Sequence, residues 1–153
     1  MPPDPPPAKL DAHLGYWLRM VSNAVSQSFA RQVEREGVTV AEWVFLRALY
    51  DAGPVAPSLL AETMGMTKGA ISRLADRLAD KALIDKSANP DDKRAHTLDL
   101  TPAGRTLVPR LAALADDNDA AFFQALTADE RRQLDQLLRR IAQQRQLTTI
   151  PVD

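Results

Sequence analysis

The chain has 153 residues, of which 45% are hydrophobic and 25% charged, with a formal net charge of −1 and no cysteine. This length fits one domain with a single core, and the composition is that of an ordinary globular protein. The lack of cysteine excludes a disulfide framework and a thiolate metal site. No apolar run is long enough to predict a membrane span, and the proline-rich residues 1–8 predict a disordered tail rather than a signal peptide. We therefore expect a cytoplasmic protein.

The first part of the chain predicts two helices with clear ends. Apolar residues at spacings of three and four from Leu10 onward predict a long helix that ends near Gly37. Thr39 and Glu42 have the spacing of a capping box, in which two side chains satisfy the free amides at a helix start. A second helix therefore follows this pair and ends at Gly53.

The next two helices are joined by a short turn. The third begins at Pro57, a favourable first-turn residue, although Ala56 before it has no side-chain acceptor, and it closes at Gly65. Thr67 caps a fourth helix that extends to about Ala82. Its inward apolar face consists of Ile71, Leu74, Ala75 and Leu78. Its outward face consists of Lys68, Ser72, Arg73, Asp76 and Arg77. Two helices joined by a glycine-containing turn form the helix-turn-helix pattern.

The composition changes after the fourth helix and predicts a β-hairpin. A short strand begins at Leu83, residues 89–92 form a charged turn, and residues 97–100 alternate like a returning strand. A hairpin directly after a helix-turn-helix is the position of a wing. The middle of the chain therefore predicts a winged helix-turn-helix.

Two long helices complete the chain. The fifth begins at Thr101 and contains Pro109, which should bend it. A second capping box, Thr127 with Glu130, starts the sixth helix. The apolar stripe of that helix consists of Leu134, Leu137, Leu138 and Ile141. Because one small winged domain cannot cover the stripes of both the first and the last helix, we expect a homodimer.

The order of elements predicts a mainly α fold, a winged helix-turn-helix with a small β-hairpin wing and long terminal dimerisation helices. Residues 38–101 would form the DNA-binding domain, and residues 9–37 and 102–147 the helical dimerisation region. A recognition helix buries one stripe and offers its N-terminal half to base edges in the major groove. Residues 67–77 fit both requirements. Basic residues gather in this part of a nearly neutral chain, although acidic residues lie among them.

Three segments resemble the multiple antibiotic resistance regulator (MarR) family of bacterial transcription factors. They are residues 60–73, 76–84 and 89–104, and the last contains an acidic turn, two basic residues and a Leu-Thr that starts the next helix. The resemblance implies a triangular homodimer in which each winged domain reads one half of a palindrome. It also implies a ligand-responsive repressor that binds double-stranded DNA, needs no cofactor and does not bind a membrane.

The resemblance assigns the DNA contacts, by position, to the fourth helix and the wing. The assigned residues are Thr67, Lys68, Gly69, Ser72, Arg73, Arg77, Lys93 and Arg94, with Asp92 as support for the wing arginine. An arginine fork matches guanine in the major groove, and an arginine in a narrow A·T minor groove gains from the negative potential there. The other interpretation is a solvated helix face, in which Arg77 and Lys81 pair along the helix. Their partners would be Asp80 and Asp76.

A second group of residues, mostly aromatic, is a candidate ligand pocket. It consists of His13, Trp17, Trp43, Arg47 and Tyr50. The resemblance implies a small aromatic or phenolic effector in this region. The alternative is that these side chains belong to the core or to a dimer interface, because large rings at helical spacing are usually buried.

Enzyme chemistry has little support in the sequence. The two histidines match no metal-ligand spacing, and no nucleophile elbow or phosphate-binding glycine loop is present. The acidic run Asp116–Asp119 lacks the glycine of a calcium loop and is interpreted as a solvated helix face. The main rival to a DNA-binding regulator is a winged-helix module that binds another protein and not DNA.

Overall fold

The computed structural model describes residues 1–89 and 92–152, with the side chains of these residues except 89 and 92–95. Within this part the protein has a 3₁₀ turn at Leu10–Ala12, six α-helices and one antiparallel hairpin. The elements are α1 (Leu14–Arg35), α2 (Val40–Ala52), α3 (Pro57–Met64), α4 (Lys68–Asp80), β1 (Ile84–Asn89), β2 (Asp92–Leu100), α5 (Pro102–Phe122) and α6 (Ala128–Gln144). The predicted mainly α winged fold is confirmed. None of the described helices is long and apolar enough to cross a membrane.

The helix ends follow the local capping signals. The Thr39 side chain accepts a hydrogen bond from the Glu42 amide and the Glu42 carboxylate accepts one from the Thr39 amide, both at 3.1 Å. Gly53, at φ +68°, ends α2, and Gly65, in the left-handed conformation, ends α3. The first helix differs from the prediction, because His13 is extended and separates the 3₁₀ turn from α1.

The hairpin is anchored at its base. Ile84 pairs with Leu100, and Val55 adds a bridge to Leu98 through two backbone hydrogen bonds of 2.7 and 3.0 Å. Thr101 donates its amide to the carbonyl of Leu83 at 3.1 Å and its hydroxyl to the carbonyl of Ala82 at 2.7 Å. The returning strand is longer than predicted, since it starts at residue 92 rather than 97. Two residues of the predicted turn, 90 and 91, lie outside the described residues.

The core lies in the winged domain and is closed by α5. Its largest fully buried side chains include Phe45, Leu49, Leu74, Leu78 and Leu111. In contrast, α1 buries only Val33 among its residues, and α6 buries none. The apolar residues of α6 remain in contact with solvent in the single chain, with 49% of Leu137, 42% of Leu138 and 55% of Ile141 exposed. The core of one chain therefore leaves the terminal helices with apolar faces uncovered.

Two hydrogen bonds of Asn118 join α5 to α1. Asn118 is 5% exposed and accepts a hydrogen bond from Gln32 at 3.1 Å, while its amide donates to the carbonyl of Val25 at 3.2 Å. The interpretation of residues 116–119 as a solvated face is therefore wrong for Asn118, although the three aspartates around it are exposed. An amide can satisfy donors and acceptors inside the protein without the desolvation cost of a carboxylate.

After α6 the chain turns back towards the winged domain. Gln146 has a positive φ of 55°, and the segment after it runs past the helix-turn-helix. The Cα of Thr149 lies 3.7 Å from the position that a Cβ on Gly65 would occupy. Val152 packs against the core. The C-terminal segment, residues 147–152, therefore passes the turn between α3 and α4 at Thr149.

Candidate nucleic-acid interface

Helix α4 separates its apolar and polar residues cleanly. Its predicted inward face, Ile71, Leu74, Ala75 and Leu78, is buried, which confirms that part of the prediction. The predicted contact residues of this helix are all exposed, namely Lys68, Gly69, Ser72, Arg73 and Arg77. The helix therefore presents a basic face on the side opposite the core.

The start of α4 is built from Thr67 and Gly69. The Thr67 hydroxyl accepts a hydrogen bond from the Ala70 amide at 3.1 Å, which fixes the helix start. A Cβ on Gly69 would lie 3.6 Å from a guanidinium nitrogen of Arg73, so the arginine extends back over the first turn. Lys68 is in the same turn. Two cationic side chains thus lie near the helix N-terminus, whose amides also favour an anion.

The ion pairs of the structure differ from those of the solvated-face interpretation. Asp76 pairs with Lys86 of β1, and Lys81 pairs with Glu42 of α2 at 2.8 Å. The suggested pairing of Lys81 within α4 is therefore wrong. The ion pairs found among the described residues do not include Arg77 or Arg73. These two arginines are exposed, and none of those carboxylates neutralises them.

The carboxylate of Glu42 was not predicted to do more than cap α2. Its side chain is 1% exposed and lies against the ammonium group of Lys81. Burial raises the pKa of Glu42, but hydrogen bonds from Lys81 and from the Thr39 amide outweigh burial, and the pKa lies below its ordinary value. No local pattern signals this pair, because the two residues are 39 positions apart in the sequence.

The lowered pKa of Glu42 predicts how stability depends on pH. A carboxylate with a depressed pKa in the folded state adds stability above its unfolded pKa, and that stability is lost as pH falls through the folded pKa. Wild-type protein should therefore lose stability from about pH 5 downward more steeply than Glu42→Gln. Urea unfolding of both proteins across this range is the measurement. A difference in unfolding free energy that stays constant with pH would contradict the prediction.

For the predicted wing contacts, the structure describes the backbone but not the side chains. Asp92, Lys93 and Arg94 lie in β2, at the tip of the hairpin, and their side chains lie outside the described residues. Their assignment to the minor groove and the support of Arg94 by Asp92 stay predictions.

The five residues of the candidate ligand pocket are not brought together within one chain. Trp17 packs edge-on against Tyr16 and donates a hydrogen bond to the carbonyl of Asp11. The guanidinium carbon of Arg47 lies 5.7 Å from the centre of the exposed Tyr50 ring. His13 caps the start of α1 without a side-chain cap bond. Trp43 alone among the five lines a cavity of about 280 Å³. An effector site stays a prediction.

The Trp43 cavity has walls that the sequence did not indicate. The Trp43 ring packs edge-on against Phe29 of α1, with the ring centres 6.3 Å apart. Asn118 and Pro151 also line the cavity. Periodicity showed which helix face carries Trp43, but not that a residue near the C-terminus would reach it.

A larger cleft lies between α5 and α6. It has a volume of about 750 Å³, and Val25, Phe123, Leu134 and Leu138 are among its lining residues. Arg131 on the same wall forms an ion pair with Asp119 at 3.8 Å. The cleft adjoins the uncovered apolar face of α6.

The helix-turn-helix, its exposed basic helix and the hairpin after it define a winged helix-turn-helix protein. Residues 36–95 match the sequence model of the MarR family. A putative transcriptional regulatory protein for the hcr operon of Thauera aromatica is 30% identical over 132 residues, which cover 86% of this chain and 80% of that protein. The chain belongs to the MarR family.

Solved structures agree with this assignment. A mutant MarR from Escherichia coli complexed with operator DNA has a TM-score of 0.73 and 27% identity, covering 84% of this chain and 92% of that one. Bordetella bronchiseptica BpsR, whose DNA binding is regulated by 6-hydroxynicotinic acid, has a TM-score of 0.75 and 26% identity. That match covers 90% of this chain and 98% of BpsR.

Proposed function

We propose that this protein is a transcriptional repressor that binds a palindromic operator as a homodimer in the cytoplasm. The observation that carries the proposal is the basic outer face of α4, with Arg73 and Arg77 exposed opposite a fully buried stripe. A helix with this division can rest on its own domain and still reach base edges. Its relatives include regulators of transcription and a MarR bound to operator DNA.

The homodimer is supported by the uncovered apolar faces. Residues 9–37 and 102–147 would form the dimerisation region, and residues 38–101 would bind DNA. The exposed stripe of α6 and the cleft beside it are apolar surfaces of the kind that a second copy of the chain covers. Two-fold symmetry would then place the two recognition helices on half-sites about 10 base pairs apart.

The DNA-contact assignment predicts different effects for helix and wing variants. Arg73→Ala should lose discrimination at particular bases, at a cost of about 1–3 kcal/mol for a bidentate contact. Arg94→Ala should weaken binding across most sequences, because minor-groove contacts distinguish A·T from T·A poorly. The slope of the logarithm of the binding constant against the logarithm of salt concentration should also become shallower by about one, since one cationic contact is lost. The operator is first selected from random duplexes. Affinities of both variants are then measured over a salt series.

The matched control is Arg110→Ala, since Arg110 is an exposed arginine of α5 that pairs with Glu36 and is not an assigned contact. It should retain wild-type affinity. Wild-type operator affinity in both Arg73→Ala and Arg94→Ala, with each confirmed as a folded dimer, would refute the assignment of this surface to DNA. That result would favour the protein-interaction module instead.

A further inference from the structure

The ammonium group of Lys81 makes three contacts at the junction of three elements. It donates to the carbonyl of Gly37 at 2.8 Å and to the two carboxylate oxygens of Glu42 at 3.0 and 2.8 Å. A lysine has three N–H donors, so each has an acceptor here. None of these residues is among the assigned DNA contacts.

The three residues belong to parts of the chain with different proposed roles. Gly37 follows the end of α1, Glu42 lies in the first turn of α2, and Lys81 is the C-cap of α4. Under the proposed function, α1 belongs to the dimerisation region and α4 is the recognition helix. The ammonium group of Lys81 therefore ties the end of the recognition helix to α2 through the ion pair with Glu42 and to the end of a dimerisation helix through the Gly37 carbonyl.

The burial of the Glu42 carboxylate constrains the positions of the groups that pair with it. A carboxylate that is 1% exposed must keep its partners, because an unpaired buried charge is strongly unfavourable. The Thr39 amide and Lys81 supply them. The other ion pair of α4, between Asp76 and Lys86, is exposed on both sides and screened by salt. The Glu42–Lys81 pair is thus the more constrained of the two.

We propose that Glu42 and Lys81 are positioning residues that fix the angle of α4 relative to α1 and thereby fix the half-site spacing that the dimer accepts. The inference rests on the proposed function. Since a dimer binds both half-sites at once only when its two recognition helices have the matching separation, loosening one end of α4 lowers affinity and relaxes the spacing requirement. A pair with a purely structural role would change stability but leave the spacing preference unchanged.

The chain provides a matched control in its second capping box. Thr127 and Glu130 make the same reciprocal hydrogen bonds at the start of α6, but Glu130 is exposed and pairs with no lysine among the described residues. Glutamine retains the capping function, so Glu42→Gln and Glu130→Gln should both keep their helix starts. Only Glu42→Gln also loses a buried ion pair, the one with Lys81. The double variant Glu42→Gln/Lys81→Met leaves neither charge unpaired, which favours folding.

The experiment measures dissociation constants for the selected operator and for versions with one base pair added or removed between the half-sites. Wild type and Glu130→Gln should lose affinity at least about tenfold on either change of spacing. Glu42→Gln and the double variant should bind the selected operator about tenfold more weakly and discriminate among the three spacings less than about threefold. Circular dichroism and sedimentation confirm that each variant is a folded dimer.

A wild-type spacing preference in both Glu42 variants would overturn the positioning role, even if their stability is reduced. Failure of wild-type protein to select or bind any duplex would instead overturn the proposed function, and the positioning role with it. The two failures are therefore distinguished by the wild-type measurement alone.

Discussion

Gly104→Ala is expected to destabilise the protein by about 1–3 kcal/mol, although alanine normally favours a helix over glycine. A Cβ at this position would lie 2.2 Å from the carbonyl oxygen of Leu83 and 3.3 Å from a methyl carbon of Leu100. The first of these contacts is with backbone, which cannot move aside like the end of a flexible side chain. The added methyl group must therefore push the first turn of α5 away from the base of the hairpin.

The matched control for this prediction is Gly69→Ala. Gly69 is also in the first turn of a helix, but its Cβ would meet only the end of the Arg73 side chain, at 3.6 Å. This variant should be neutral or slightly more stable, by at most about 1 kcal/mol. Urea unfolding of both variants is the measurement. Equal stability of the two would mean that the close approach at Gly104 does not determine the choice of glycine.

Ile141→Asp is expected to convert the homodimer into a monomer. Ile141 is the most exposed member of the apolar stripe of α6, and in a homodimer the substitution enters the interface twice. Placing a carboxylate in an apolar interface costs on the order of 3 kcal/mol, so the two copies cost about 6 kcal/mol, which corresponds to dimer association weaker by a factor on the order of 10⁴. Operator affinity should fall as well, because the second half-site is no longer bound by a linked domain.

Gln143→Asp serves as the control. Gln143 is exposed and lies two residues after Ile141, about 200° further around the helix, so the same charge is placed away from the stripe. Sedimentation velocity at micromolar concentration compares the two variants with wild type. A dimer of unchanged affinity in Ile141→Asp would show that α6 does not form the interface through this face.

The parts of the fold that depend on neighbouring residues were predictable from the sequence. The two capping boxes and the glycine ends of α2 and α3 are satisfied within a few residues, so pattern alone placed them correctly. The same reasoning identified the buried and exposed faces of α4, because periodicity reports how one helix divides its residues. The candidate DNA-contact residues of this helix therefore occupy the outer face that the sequence indicated.

Contacts between distant elements were not predictable in this way. The solvated-face interpretation paired Lys81 with an aspartate of its own helix, because it considered only charges nearby on that helix, whereas the partner of Lys81 is Glu42 on another helix. Asn118 was grouped with its acidic neighbours although its amide points inward to α1. In both cases the tertiary fold selects the partner, and no local pattern encodes that choice.

The position of the C-terminal segment has a practical consequence for biophysical work. Because Thr149 runs beside Gly65 and Pro151 lines the Trp43 cavity, an affinity tag or fluorescent protein joined at this end would begin beside the helix-turn-helix. Residues 1–9 are exposed and precede the first helical turn. A label attached at the N-terminal end provides the comparison, and the difference in operator binding between the two placements shows whether bulk beside Gly65 interferes.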